Sequence, residues 1–363
     1  MRRAAGDYER AAAYGTDLLA GFAGLKRAEL WTSAATHAVL PLIATRPGAA
    51  LQLAAGIHSH RERFGGWRGG FWLPECAYRP GLECDLAERG VRITCVDQTD
   101  QFGRGSLDNL EPVLTDTGVV AVPVDWDTIC LVWDMDDGYP TAPAYRDYHR
   151  KTRYHLKPWN TTGEPYSRDD ALAQAREHAV DFVARALVRS NEVDDGLVVC
   201  ALDTELLGHW WYEGPQWLEA VTQECERQGL ALTHLDDALQ KGTGTDLSHT
   251  GTVELPVTTW GSPRDLSTWS GPGVEDFAWR ARRAELEVLR AGAQASPRAV
   301  RELLALQSSD WAFLVHRDLA AAYGHGRAEG HAELLSNELA SLGSNAPELR
   351  NLAPYATTAP LLA

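Results

Sequence analysis

The chain lacks any excess of basic residues. Its 34 Lys and Arg face 50 Asp and Glu, a formal net charge of -16 over 363 residues. Phosphate recognition rests on Lys and Arg, so neither a nucleic acid nor an anionic membrane is the expected partner. A neutral polysaccharide is indifferent to that charge. No stretch has the unbroken apolar length of a membrane helix. The first residues, Met1-Arg2-Arg3-Ala4-Ala5-Gly6-Asp7, are basic but no apolar core follows them, so they do not read as a signal peptide, and cytoplasm is the expected compartment. The six cysteines, Cys76, Cys84, Cys95, Cys130, Cys200 and Cys225, include no CxxC pair. That excludes the usual zinc spacing and a disulfide framework, and they read as reduced, mostly buried thiols. No internal repeat is visible, and no cofactor or metal is expected.

What is present is apolar and aromatic. Hydrophobic residues make up 44% and there are 13 Trp, ample for a barrel with a smaller domain and suited to carbohydrate. Two acidic segments stand out, Phe71-Trp72-Leu73-Pro74-Glu75-Cys76-Ala77-Tyr78 and Ala201-Leu202-Asp203-Thr204-Glu205-Leu206-Leu207-Gly208-His209-Trp210-Trp211. Each sets a carboxylate among aromatic rings. Sugar rings stack on Trp and Tyr faces, and sugar transfer needs two carboxylates, one to attack the anomeric carbon and one to move protons.

The pattern of elements alternates. Helices are expected over 8–28, 38–65, Leu82 to Arg89, 169–190 and Trp217 to Gln228; Ser167 can cap the fourth, whose apolar face runs through Ala175, Ala179, Phe182 and Val183. Strands are expected at Glu29 to Thr32, Gly69 to Leu73, Val91 to Asp97, within Leu110 to Pro123, at Ile129 to Trp133, at Gly196 to Leu202 and at Ala231 to Thr233. Acids at strand ends in a β/α alternation fit a parallel α/β barrel, with its site at the C-terminal ends of the strands. Gly242 to Gly251 reads as a linker. Residues 275–341 are helical in pattern, with Trp279, Leu286, Leu289, Leu303, Leu306, Trp311, Phe313, Leu314 and Leu334 as core candidates.

Each candidate has a plainer reading. Glu75 can be a surface acid after a strand, although its apolar neighbours oppose that. Asp203 can be a helix cap. His37, at the end of Thr32-Ser33-Ala34-Ala35-Thr36-His37, is alone more often structural. His58-Ser59-His60 resembles a metal pair but has no partner acids nearby. Asp97, Asp100, Asp125 and Asp127 read mostly as solvated loop acids. Trp260 and Trp269, on a Gly/Ser/Pro-rich loop, serve either sugar stacking or the anchoring of that loop.

Taken in order, Thr32 to His37, Phe71 to Tyr78, Leu202 to Trp211, Trp260, Trp269 and Ser308-Ser309-Asp310-Trp311-Ala312-Phe313 resemble glycoside hydrolase family 57, and within it the 1,4-α-glucan branching enzymes of actinobacterial type. The resemblance runs from about Glu29 to about Leu335. It implies a retaining mechanism on a (β/α)7 barrel, with Glu75 as nucleophile and Asp203 as general acid/base. It also implies substrate contacts from His37, Trp72, His209, Trp210, Trp260 and Trp269. The implied partner is an α-glucan: amylose, a glycogen-like polymer or a methylglucose polysaccharide. The family's opening strand with a His-x-His motif has no counterpart here, so the expected fold is α/β, an incomplete (β/α)7 barrel followed by a mainly helical C-terminal domain. Expected domains are 1–241 catalytic, 242–274 linker and aromatic loop, and 275–363 helical. The family's catalytic-loop Tyr is also missing between Asp97 and Val119, and Val124-Asp125 stands where an Arg-Asp pair is usual. An α-amylase or 4-α-glucanotransferase of the same family, and an inactive glucan-binding protein, stay open as alternatives.

Overall fold

The computed structural model describes residues 17–193, 196–240 and 255–341, together with Gly6, Glu9 and Ala12. The expected linker at Gly242 to Gly251, the start of the expected first helix and residues 342–363 lie outside these. The chain divides into two compact units, one of Met1–Val96, Thr115–Val120 and Glu254–Ala363, the other of Asp97–Leu114 and Ala121–Val253.

The first unit opens with helix α1 (Leu18–Ala23) and then alternates β1 (Thr32–Ser33), α2 (Arg46–Phe64), β2 (Gly70–Trp72), α3 (Leu82–Glu88) and β3 (Ile93–Val96). Thr45 starts α2, its hydroxyl accepting from the Gly48 amide at 3.1 Å with Pro47 in the first turn. Gly56 lets α2 lie against β1, since a Cβ there would sit 2.0 Å from the Ser33 carbonyl. The Thr32 hydroxyl answers with a 3.0 Å bond to the Gly56 carbonyl. Strands β1 and β2 pair in parallel, Thr32 opposite Phe71, and β2 pairs with β3, Gly70 opposite Ile93. The two remaining strands, β4 (Val113–Leu114) and β5 (Val120–Pro123), fall wholly and mostly in the second unit.

The second unit holds the helices α4 (Thr99–Phe102), α5 (Trp126–Trp133), α6 (Arg168–Ser190), α7 (Gly214–Gln228) and α8 (Leu235–Gln240). Ser167 caps α6 as its sequence predicts, accepting from the Asp170 amide at 3.4 Å. Ala175, Ala179, Phe182 and Val183 face a core built around Trp211 and Trp217. Three expected strands are corrected here. Ile129 to Trp133 is helical, because Asp125 caps a turn through the Thr128 amide (3.2 Å) and buries Ile129 and Val132 on one face. Gly196 to Leu202 forms no strand. The Leu197 amide bonds Leu110 and the Val199 carbonyl takes the Asp125 amide, and no regular ladder follows. Ala231 to Thr233 is also irregular. Asp97 and Asp125 are fully buried rather than solvated. Asp97 accepts from the Thr99 amide and the Trp126 indole, both at 2.8 Å, while Asp125 faces the Arg189 guanidinium at 3.3 Å.

The first unit resumes with α9 (Ser267–Ser270), α10 (Glu275–Ala291), α11 (Pro297–Leu306), α12 (Asp310–His316) and α13 (Ala321–Ala340). They share one apolar core with the N-terminal half of that unit: Val39, Leu51, Ala55 and Ala77 pack with Val288, Val300, Leu303 and Leu335. Trp279, Leu286 and Leu334, expected in the core, are exposed. Trp279 lies under the Arg282 guanidinium instead. This is the α/β architecture expected of an incomplete (β/α)7 barrel followed by a mainly helical part, with five strands among the described residues.

Candidate active site

Glu75 follows β2 in the tight turn Pro74–Cys76, and both Glu75 (φ 59) and Cys76 (φ 51) adopt left-handed backbone. Non-glycine residues avoid that region at a cost of order 1–3 kcal/mol each, so the surroundings must hold them there. Residues 258–260 do so. The Thr259 hydroxyl (2.6 Å) and the Trp260 amide (3.2 Å) both donate to the Glu75 carbonyl, while Tyr78 and Thr258 exchange amide bonds of 2.8 and 3.1 Å. The Trp260 indole N–H then reaches the Glu75 carboxylate Oε2 at 3.2 Å.

His37, itself at φ 55, places Nε2 3.7 Å from Glu75 Oε1. Trp72 meets Trp260 with ring centroids 5.0 Å apart. The Glu75 side chain is 17% exposed and His37 43%, so a carboxylate and an imidazole open together beside two indoles. Trp269 is buried beneath this loop; a Cβ on Gly261 would meet its ring at 2.7 Å. It supports the loop from inside rather than presenting a free face.

A chain of buried polar groups holds the His37 loop. The Gln52 side chain accepts from the Thr36 amide at 3.3 Å, and its backbone carbonyl accepts from Ala35 at 3.1 Å. Gln52 donates to Gln307 (2.9 Å), which donates to Glu285 (3.1 Å). Glu285 also accepts from Thr45 (2.5 Å) and the Ala44 amide (3.2 Å). Burial pushes the Glu285 carboxyl above the usual range. The Ser309 amide fixes the His37 carbonyl at 3.3 Å. Helices α10 and α11 therefore set the loop that carries His37.

Asp203 belongs to the second unit. It is exposed and precedes a short 3-10 turn (Thr204–Leu206), where its side chain makes no capping bond, so the helix-cap reading fails. The loop after it doubles back, the Gly208 amide bonding the Trp211 carbonyl and the Trp211 amide bonding Leu206, each at 2.8 Å. Trp211 anchors the turn in the core against Tyr145 and Trp217. Behind it Glu213 is buried, accepts from the Tyr166 hydroxyl at 2.7 Å, and is pushed up by that burial. In front, His209 and Trp210 stand exposed. Trp210 donates to Glu205 at 3.0 Å and meets Tyr148 at 4.5 Å between centroids, and the Tyr148 hydroxyl lies 3.2 Å from His209 Nε2.

The structure thus gathers His37, Trp72, Glu75 and Trp260 in one group, and His209 and Trp210 with Tyr148 in another, on the loop that follows Asp203. Thr259, Gln52, Gln307 and Tyr148 were not singled out from sequence. Thr259 adjoins a flagged Trp and Tyr148 lies in an aromatic, basic stretch; the two glutamines carry no local signal. His60 is buried against Phe64, its pKa lowered by desolvation, and His58 is exposed. Among the described residues no three His, Cys, Asp or Glu side chains converge as metal ligands. None of the six cysteines forms a disulfide: Cys76, Cys95 and Cys225 are buried and Cys84 is exposed, and burial pushes the Cys95 thiol up to about 12.

Comparison with known proteins adds to this geometry. The model of "Glycosyl hydrolase family 57" matches residues 15–256, and that of "1,4-alpha-glucan branching enzyme, C-terminal" matches residues 278–362. A probable 1,4-alpha-glucan branching enzyme of Mycobacterium tuberculosis is 35% identical over 350 residues, covering 88% of this chain and 64% of the relative. The 1,4-alpha-glucan branching enzyme of Thermococcus kodakarensis is 31% identical over 369 residues, covering 86% and 54%. This chain spans less than two thirds of the length of either. The crystal structure of the Thermococcus kodakaraensis branching enzyme with glucose superimposes with a TM-score of 0.89 at 27% identity, covering 98% of this chain and 76% of that one.

Proposed function

This chain belongs to glycosyl hydrolase family 57, and on that premise we propose that it is a retaining transglycosylase that cleaves α-1,4-glucan and rejoins the freed segment to a 6-hydroxyl as an α-1,6 branch. The observation that carries the reading is the strained Glu75, fixed by Thr259 and Trp260 and opened toward His37 and two indoles. Backbone strain is retained where a side chain must be aimed, and a carboxylate aimed beside flat aromatic faces suits attack on a sugar ring. The match to a branching-enzyme C-terminal part favours transfer to a glucan over transfer to water.

In this mechanism Glu75 attacks the anomeric carbon while Asp203 protonates the departing oxygen, which requires the carboxyl groups to come within roughly 5–5.5 Å. A covalent glycosyl-enzyme forms with release of the first glucan end. Asp203, now a base, takes the proton from an acceptor 6-hydroxyl, and that oxygen displaces Glu75. His37 steadies the sugar beside Glu75, Trp72 and Trp260 form the platform, and His209 and Trp210 contact the sugar next to Asp203. Trp269 acts from beneath by holding the loop. The substrate is amylose or a glycogen-like or methylglucose polysaccharide. Residues 1–241 supply the catalytic part, 242–274 the aromatic loop and 275–363 the helical support. No described helix is long and apolar enough to cross a membrane. Thiols that form no disulfide suit a cytoplasmic setting.

The test is incubation with amylose, following iodine staining and counting α-1,6 linkages by proton NMR. New branches without a matching rise in reducing ends support branching. Reducing ends alone mean an amylase, redistribution of α-1,4 chains means a 4-α-glucanotransferase, and no change in product with retained glucan binding means a binding protein.

A further inference from the structure

One stretch runs against the charge of the whole molecule. In a chain of net charge -16, residues 146–157 carry Arg146, Arg150, Lys151, Arg153 and Lys157 with Asp147 as their sole acid. Asp147 offsets one of the five. One of its oxygens accepts the amides of His149 (2.6 Å) and Arg150 (2.9 Å), folding the turn, and the other pairs with Arg150 at 3.2 Å. Lys151 and Lys157 have no carboxylate partner among the described residues.

Lys157 is held, not free to wander. Its ammonium lies 3.5 Å from the centroid of the Tyr148 ring, and its carbonyl accepts from Arg146 Nε at 2.8 Å. The Arg146 guanidinium in turn rests on Tyr212 at 4.6 Å. Between these side chains, His209 and Trp210 lies a pocket of about 240 Å³. A Lys charge seated on an aromatic face beside Arg146 and Lys151, with Asp147 as the one acid lining the pocket, is under-compensated until something negative arrives; burial, then Arg146 and Lys151, lower its pKa against the opposing pull of Asp147. Neutral sugar needs the aromatic faces alone. A cation placed among them adds recognition of charge, and Lys with an Arg fork is the pairing that binds carboxylate and phosphate oxygens.

We infer that the pocket bounded by Tyr148, Lys157 and Trp210 is a subsite for an anionic saccharide, a sugar ring bearing a carboxylate or a phosphate. The ring stacks on Trp210 and Tyr148. The charged group meets Lys157 and Arg146, and His209 hydrogen-bonds a ring hydroxyl. This deepens the glucan reading and rests on it only for the ring being a sugar.

The test is binding, so it stands whether or not the chain branches amylose. Calorimetric titration of the full-length Glu75→Gln protein would use glucuronic acid, glucose 6-phosphate, maltose and inorganic phosphate. Both anionic sugars, or the one whose charge the site prefers, are expected to bind about tenfold tighter than maltose and than phosphate, the scale of one charge-assisted hydrogen bond. Lys157→Met is expected to remove that margin and keep maltose binding, and high salt to shrink it in the unmodified site. Trp210→Ala is expected to weaken every sugar. Maltose binding as tightly as both anionic sugars, phosphate binding as tightly as they do, or a margin that survives Lys157→Met and high salt would overturn the inference. Absence of branching on amylose with this margin present would sink the proposed reaction and leave the subsite standing.

Discussion

Replacing Gln307 by Met removes the middle link between α10 and the His37 loop without opening a cavity, since the two side chains are close in volume. Two hydrogen bonds go: the one from Gln52 at 2.9 Å and the one to Glu285 at 3.1 Å. A neutral amide pair contributes about 1 kcal/mol and a bond to a carboxyl group about 1.5–3 kcal/mol. Neither former partner is stranded. Gln52 still faces the Thr36 hydroxyl at 3.1 Å, and Glu285 keeps Ala44 and Thr45. The cost therefore sits at the low end, about 2 kcal/mol. The amides of Ala35 and Thr36 both bond to Gln52, so local opening at residues 34–38 reports the loss. At about 1.4 kcal/mol per decade, hydrogen exchange there should quicken roughly 30-fold. Amides of α6, in the other unit, provide the unchanged reference. Acceleration below about threefold would mean that the relay does not hold the loop, and the reasoning from Glu285 to His37 would be wrong.

Three further outcomes are expected. Glu75→Ala and Asp203→Ala should each lower turnover of amylose more than about a thousandfold, whereas exposed His58→Ala should leave it near normal; activity persisting in Glu75→Ala would remove the nucleophile assignment. Trp260→Phe deletes the 3.2 Å bond to the Glu75 carboxylate, and a kcat reduced roughly 10- to 100-fold with KM little changed is expected from steady-state kinetics; an unchanged kcat contradicts the clamp. Burial raises the Glu285 pKa above 4.5, so its folded form prefers the proton and stability falls as pH climbs through that window. Glu285→Gln, which cannot ionise, should gain on the unmodified protein with rising pH and keep its lead beyond it. A difference in melting temperature that is flat with pH would refute this.

The sequence revealed its local features best. Ser167 before an amphipathic run and the Trp-Leu-Pro-Glu turn act within a few residues of themselves, and both appear in the structure at or within a residue of their expected place, whereas the helix expected over 38–65 begins only at Arg46, after the Thr45 cap. The errors came where distant partners decide. Nothing near Asp125 in the chain announces Arg189, 64 positions away, so a buried ion pair read as a solvated loop acid. Ile129 to Trp133 is apolar and β-branched enough for a strand, and only the Asp125 cap tips it to helix. The aromatic and acidic residues of the candidate site were legible because their chemistry is unusual on any loop. Gln52 and Gln307 were not, since a buried amide differs from a surface one only in its surroundings.

The bond from Thr259 to the Glu75 carbonyl joins residues 184 positions apart. On a ribosome adding 5–20 residues each second, roughly 10–40 s separate the synthesis of the two. Through that interval the turn at Glu75 keeps its own amide bonds, Cys76 to Leu73 and Ala77 to Pro74, and lacks the hydroxyl, the amide and the indole that further restrain it. The carboxylate can take its working direction only after residue 260 has left the exit tunnel. Translation itself thus orders the assembly: strands β1 to β3 come first and the aimed carboxylate late, so a chain halted before Thr258 would carry Glu75 in sequence and lack it as a site.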